Sequence, residues 1–325
     1  MTWVPWQQAW QEALYGGWGF YRADRGPGGH FTTSTQGAPG LGETFAEALV
    51  ALARHASLTS FVDIGAGRGE LLEQVHRIAP DLSCLGVDVS DRPSVPEPVG
   101  WLTSHGGPDL PDRLTGLTGV LVVANEWLDV VPCTVAELDE DLVPRTVLVD
   151  PCTGAERLGE TLSDAELDWC RGEAQNWPMQ GAQPGDRVEV GLARDRAWSD
   201  LVSRVDHGLA VAIDYGHLRT SRPAGGSLTG FRRGSSCAPI ADGSCDLTAH
   251  VAVDSLAHTE LVTQREALRR LGIAGSLPDR ELAAKDPAAY LAALTRSSAA
   301  TALLAPEGLG GFWWVVVNRG ADGIP

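Results

Sequence analysis

With 325 residues and a formal net charge of −17, the chain has material for one large domain, or a domain plus a sizeable insertion. Apart from Lys285, its basic side chains are arginines, and so acidic a chain is a poor general partner for nucleic acid or an anionic membrane surface. No apolar run nears the ~18 residues of a membrane span, and the first 21 residues hold neither Lys nor Arg, so no signal-peptide head; a cytoplasmic protein is expected.

Trp3, Trp6 and Trp10 fall at helical spacing, with Ala13 and Leu14 continuing the stripe, and predict a short helix docked by its tryptophan face. Residues 15–29 are glycine- and aromatic-rich loop, running into His30, Phe31, Thr32 and Thr33. Leu41, Phe45, Leu49 and Leu52 predict a helix just before the first strand of a sheet.

That strand opens the stretch around which the chain is organised, FVDIGAGRG at residues 61–69. An apolar run breaks into Gly65, Gly67 and Gly69, and Leu71, Leu72, Val75, Ile78 and Ala79 then share a helical face. Strand, glycine turn and helix open a nucleotide-binding α/β fold, with glycines where a ligand approaches bare backbone. In G-x-G-x-x-G a small residue would stand where this chain has Glu70, whose charge opposes a pyrophosphate at the helix start. S-adenosyl-L-methionine (SAM) carries a sulfonium and an ammonium but no phosphate, and tolerates an acidic loop. A second strand at 82–87 ends at Asp88, 21 residues after Gly67, where a carboxylate accepts from ribose hydroxyls. Asp63 is placed either to reach the methionine ammonium or to bond loop amides.

Further strands are expected at 99–103 and 119–124, the latter ending in NEWLDVVP at 125–132. The rim of a doubly wound sheet would thus gather Gly65, Ala66, Gly67, Arg68, Gly69, Asp88, Val89 and residues 125–129. CTVAEL and RTVLVD, then a polar stretch at 151–186, predict an insertion of a strand pair and a helix leaning over that rim. A helix at 192–205, a strand at 209–213, a loop at 219–243 that is mobile when empty, helices at 263–271 and 286–304 and a strand at 312–317 complete the pass. Six scattered cysteines lack any CxxC, and Cys237, Cys245 and His250 are poorly spaced as ligands, so neither a disulfide framework nor a metal is expected.

In this order GHFTTST, DIGAGRG, NEWLDVVP, DYG and DLTAHV resemble the motifs of the MidA family of SAM-dependent methyltransferases, which includes the mitochondrial arginine methyltransferase that assists complex I assembly. The resemblance spans nearly the whole chain and implies an α/β fold, a Rossmann-like class I methyltransferase sheet with helices on both faces. It divides the chain into a cofactor-covering extension at 1–40, a SAM-binding half at 41–132, an inserted substrate-side subdomain at 133–207 and the remaining core at 208–325. It implies that Phe31, Thr32 and Thr33 close over SAM, with Asn125 and Glu126 also at the cofactor. Tyr215, Asp246 and His250 would line the substrate entrance. The family's aspartate in the first motif is here His30.

If the acceptor is an arginine, its guanidinium arrives protonated, and carboxylates orient the planar fork. Glu126 and Asp129, three apart, would share a face if residues 126–129 turn helical, and are the candidate catalytic pair; the alternative is that Glu126 touches cofactor while Asp129 caps a helix. The leading expectation is a protein-arginine methyltransferase whose partner is a protein with an exposed arginine, with a homodimer as the assembly considered. Methylation of a small molecule or another side chain, a catalytically idle SAM-binding assembly factor, and an NAD-dependent oxidoreductase are the alternatives.

Overall fold

Seven strands form one mixed sheet in the computed structural model, which describes residues 2–22, 37–172, 175–177 and 181–325. Across the sheet they run Glu260–Thr263, Trp313–Arg319, Val205–Asp214, Leu117–Asn125, Ser60–Ile64, Ser83–Asp88 and Gly100–Thr103. The last five are parallel to one another, while Trp313–Arg319 is antiparallel to both its neighbours.

Strand alternation builds a core on each face. Leu121, Val123, Leu209, Val211, Ile213, Trp314 and Val316 point to one side, where the helices Leu41–His55, Glu70–Ile78, Gln264–Arg270 and Pro287–Leu303 supply the facing residues. Val120, Val122, Ala124, Ala210, Ala212 and Val315 point to the other, against Trp127, Leu128 and the Ala197, Trp198 and Leu201 face of helix Leu192–Ser203. From Ser60–Ile64 the chain proceeds outward to Gly100–Thr103, then returns to lay Leu117–Asn125 on the other side. That reversal opens a crevice at the carboxyl ends of these two central strands.

An antiparallel sheet of Val4–Pro5, Pro144–Val149, Thr134–Leu138 and Arg187–Val190, with Glu156–Thr161 paired to Pro144–Val149, stands beside the first. Helix Trp6–Tyr15 buries Trp6 and Trp10 against Val135, Val147, Val149 and Leu247, and the Trp10 indole donates to the Leu247 carbonyl at 2.9 Å.

Three expectations are corrected. The expected helix of the insertion forms at Asp164–Arg171, its start fixed by a capping box between Ser163 and Glu166, but the polar stretch 151–186 also contains strand Glu156–Thr161, so the expected strand pair is part of a five-stranded sheet. Residues 219–243 are not merely loop: Thr229–Arg232 pairs with both Ser235–Cys237 and Asp246–Thr248. No helix follows Leu117–Asn125; residues 126–131 make turns instead, and Glu126 takes a left-handed φ of +53°.

Candidate active site

The glycine turn sits at the mouth of the crevice. Gly65, Gly67 and Gly69 have φ of +71°, +58° and +82°, the region L side chains avoid, which is why glycine alternates here. The Gly65 and Ala66 amides donate to the Val87 carbonyl, tying turn to neighbouring strand. The Gly67 amide donates to Asp88 Oδ2 at 2.8 Å, and the Ser90 amide and hydroxyl both reach Asp88 Oδ1. Glu70 opens helix Glu70–Ile78 and accepts from the Arg68 amide at 3.1 Å, so a carboxylate already answers this helix start. Asp63, 3% exposed, receives no hydrogen bond to its carboxylate among the described residues. Burial first, then the charges of Asp88 and Glu70, hold its carboxyl well above the usual range.

Opposite lies a second acidic group. Asp129, 4% exposed, accepts from the Tyr215 hydroxyl at 2.5 Å and the Thr248 hydroxyl at 2.6 Å, both on Oδ2. Its Oδ1 is buried and meets no hydrogen-bond partner among the described residues; the same holds for Asn125 Oδ1, whose amide nitrogen donates to Glu126. Asp246 accepts from the Tyr21 hydroxyl through both oxygens, at 2.9 and 3.0 Å. Burial raises the carboxyl pKa of both Asp129 and Asp246, the hydroxyls of Thr248 and Tyr215 pulling Asp129 partly back.

Asp214 and Arg194 hold this half together. Asp214, at the end of its strand, accepts from the Leu128 and Asp129 amides through Oδ2, at 3.1 Å each, and so closes the turn after Asn125. Gly216, two residues on, lies so near strand Val251–Ala252 that a Cβ there would stand 2.2 Å from the Val251 carbonyl oxygen. The sequence marks Asp214 and Gly216 only as parts of DYG, and nothing in the pattern singles out Arg194.

One cavity of about 1530 Å³ joins the two halves. It is lined by Asp63, Gly65, Ala66, Gly67, Arg68, Asp88, Val89, Asn125, Glu126, Asp129, Tyr215, Asp246 and His250, so these candidates share one space. Gly69 does not line it; a Cβ there would meet Val95 at 2.4 Å, so this glycine serves packing as well as the turn. Phe31, Thr32 and Thr33, with His30, lie outside the described residues. Tyr15, Tyr21, Thr248 and Phe312 also line the cavity and were missed, because their motifs read equally well as core or loop; Trp127, expected at the rim with residues 125–129, lines it too. Lining carboxylates, which also include Glu70, Asp91, Asp109 and Glu307, outnumber the lining arginines Arg22, Arg68 and Arg233. Such a surface suits a cation and repels a phosphate.

The model of the Methyltransf_28 family, described as "Putative S-adenosyl-L-methionine-dependent methyltransferase", matches residues 73–272. The chain belongs to this family. Two solved structures of COG1565 superfamily members from Burkholderia thailandensis share the fold of this methyltransferase. One, bound to S-adenosyl-homocysteine, is 24% identical with a TM-score of 0.74, over 99% of this chain and 89% of the other. The second, a native crystal structure, is 23% identical with a TM-score of 0.73, over 99% and 88%. Among curated proteins none matches.

SAM is the cofactor of this methyltransferase, and it supplies an electrophilic methyl group on a positively charged sulfur. The residues fit it. Bare glycine backbone, the buried Asp63 carboxylate and Asp88 at its strand end are the residues that would hold a cationic nucleoside. Among the described residues no helix is long and apolar enough to cross a membrane, and no group of His, Cys, Asp or Glu is set to hold a metal ion. The six cysteines are free thiols.

Proposed function

We propose that this methyltransferase modifies an arginine side chain of another protein. The observation that carries the reading is Asp129, which lines the cavity shared with Glu126, Asp246 and the glycine turn and whose buried Oδ1 has no hydrogen-bond partner among the described residues. A guanidinium presents several N–H donors in a plane, and carboxylates are its natural acceptors. Tyr15 and Tyr21, stacked with ring centroids 5.5 Å apart, add aromatic wall that a guanidinium tolerates well.

In the reaction an arginine Nη forms a bond to the methyl carbon as the carbon–sulfur bond breaks, and one N–H proton must leave. The guanidinium is too basic to lose it beforehand, so alignment supplies much of the rate. Carboxylates with raised proton affinity, Asp129 and Asp246, are suited to hold the cation and to take up the proton as the new bond forms.

The parallel strands that meet at the glycine turn support a Rossmann-like class I sheet, and the motifs support placement near the MidA family. We read the second sheet as a substrate-side subdomain, the chain as cytoplasmic and a homodimer as its assembly. The test is incubation of the purified protein and labelled SAM with cell extract, followed by mass spectrometry of the modified residue. Methylarginine is expected. Label on lysine or on a small molecule overturns the arginine reading, and no label in any fraction favours an idle assembly factor.

A further inference from the structure

Arg194 lies on helix Leu192–Ser203, outside the lining of the cavity, and is 2% exposed. Its guanidinium donates through Nε to the Val131 carbonyl at 3.1 Å and through Nη2 to the Asp129 carbonyl at 2.7 Å. Nη1 donates to the Ala249 and His250 carbonyls at 3.1 and 2.9 Å. The Trp10 ring packs 5.5 Å from its charged carbon. Two segments of the acceptor half therefore meet on one side chain: the turn at 126–131, and residues 246–250 with Asp246, Thr248 and His250.

All four acceptors are neutral carbonyls, and among the described residues no carboxylate comes within ion-pairing distance of this guanidinium. A buried charge without a contacting counterion is costly. An amide side chain would cost less, although it has too few donors to span four carbonyls, whereas the five-donor fork reaches them all. What the charge adds beyond the bonds is its field, felt by Asp129 and Asp214.

We propose that Arg194 is the positioning residue of the acceptor half, a buried cation that fastens the Asp129 turn to residues 246–250 and sets its positive charge beside that turn. This rests on reading Asp129 as an acceptor carboxylate, and does not require that the acceptor be arginine. The other ionisable groups around Asp129 oppose its charge or are neutral. Asp214 and Tyr215 stand at the end of the central strand, and Asp246 and His250 on the neighbouring segment. Tyr15 and Tyr21 face it from the first helix and the turn after it, and Glu126 shares its own turn and adds to the field on Asp214 and Asp246. Arg194 is the cation that acts on Asp129 in this set.

The test reads Asp129 directly and needs no acceptor. Aspartate carboxyl carbons are labelled, the Asp129 resonance is assigned with Asp129→Asn, and its titration is followed in the wild-type chain, Arg194→Lys and Arg194→Met. Arg194→Met should move the Asp129 midpoint to higher pH, the direction expected for loss of a nearby opposite charge. Arg194→Lys, which keeps the charge but not the fork, should stay near the wild-type midpoint. A midpoint unmoved in a folded Arg194→Met variant overturns the proposal. Should neither variant fold, exchange of the Arg194 guanidinium protons in the wild-type chain decides. Slow exchange is expected of a clamp held by four carbonyls, and exchange as fast as that of an exposed arginine overturns it. Failure of the arginine reading appears separately, as absence of methylarginine in the extract experiment.

Discussion

The backbone amide of Gly67 donates to Asp88 Oδ2 at 2.8 Å, so the carboxylate ending the second parallel strand also holds the tip of the turn leaving the first. Asp88 thus shapes the glycine turn besides lining the cavity. Asp88→Ala removes both roles, and SAM affinity measured by titration calorimetry should fall about 10- to 100-fold, the range for hydrogen bonds to a charged group. Wild-type affinity in that variant would show that the donor binds elsewhere.

The ionisation of the cavity yields a sign. Burial raises the carboxyl pKa of Asp63, Asp88, Asp129 and Asp246 above the ordinary value of 3.8. From that value up to the raised ones, the folded chain holds more protons than the unfolded chain, so stability without cofactor falls as pH rises through the window. A cation in the cavity favours the charged carboxylates. SAM binding should therefore release protons, and its affinity should increase with pH over the same window. Calorimetry at mildly acidic pH, in two buffers of different ionisation enthalpy, measures this; net proton uptake would contradict it.

Asp129→Asn keeps the shape of a buried acceptor and removes its charge. On an arginine peptide shown to be methylated by the wild-type chain, turnover should drop about 100-fold or more, with SAM affinity little changed. Glu126→Gln separates the two roles open to Glu126, because loss of turnover assigns it to the acceptor and loss of SAM affinity to the cofactor. Unchanged turnover in both variants removes the guanidinium assignment.

Two substitutions probe the scaffold. Trp10→Ala empties a fully buried site and breaks the bond to Leu247, and should cost about 3–5 kcal/mol in chemical denaturation. Gly216→Ala drives a methyl against the Val251 carbonyl and should cost about 1–3 kcal/mol. If Gly216→Ala is neutral, the strand pair beside Tyr215 is more yielding than its spacing indicates.

The parallel core was legible because its signals are local: apolar runs bounded by glycine, and a fixed interval from Gly67 to Asp88. The tryptophan face of the first helix was legible for the same reason, except that Trp3, read as its first member, lies before strand Val4–Pro5 and the helix begins at Trp6. The helical turn on which a shared face for Glu126 and Asp129 depended does not form, because Asp214, distant in sequence, captures the Leu128 and Asp129 amides and holds them in a turn. Strand Glu156–Thr161 was hidden because its mostly exposed positions on an edge strand read as polar loop. Arg194 was invisible because its partners are backbone carbonyls, which carry no side-chain signature.

Trp313–Arg319 has consequences for the order of assembly. It lies between Glu260–Thr263 and Val205–Asp214, although it is synthesised after both. While the chain is being made, these two earlier strands wait for a shared neighbour, and the apolar edge of Val205–Asp214 stays uncovered. Chains halted before residue 313 should therefore aggregate rather than collect as a soluble partial sheet.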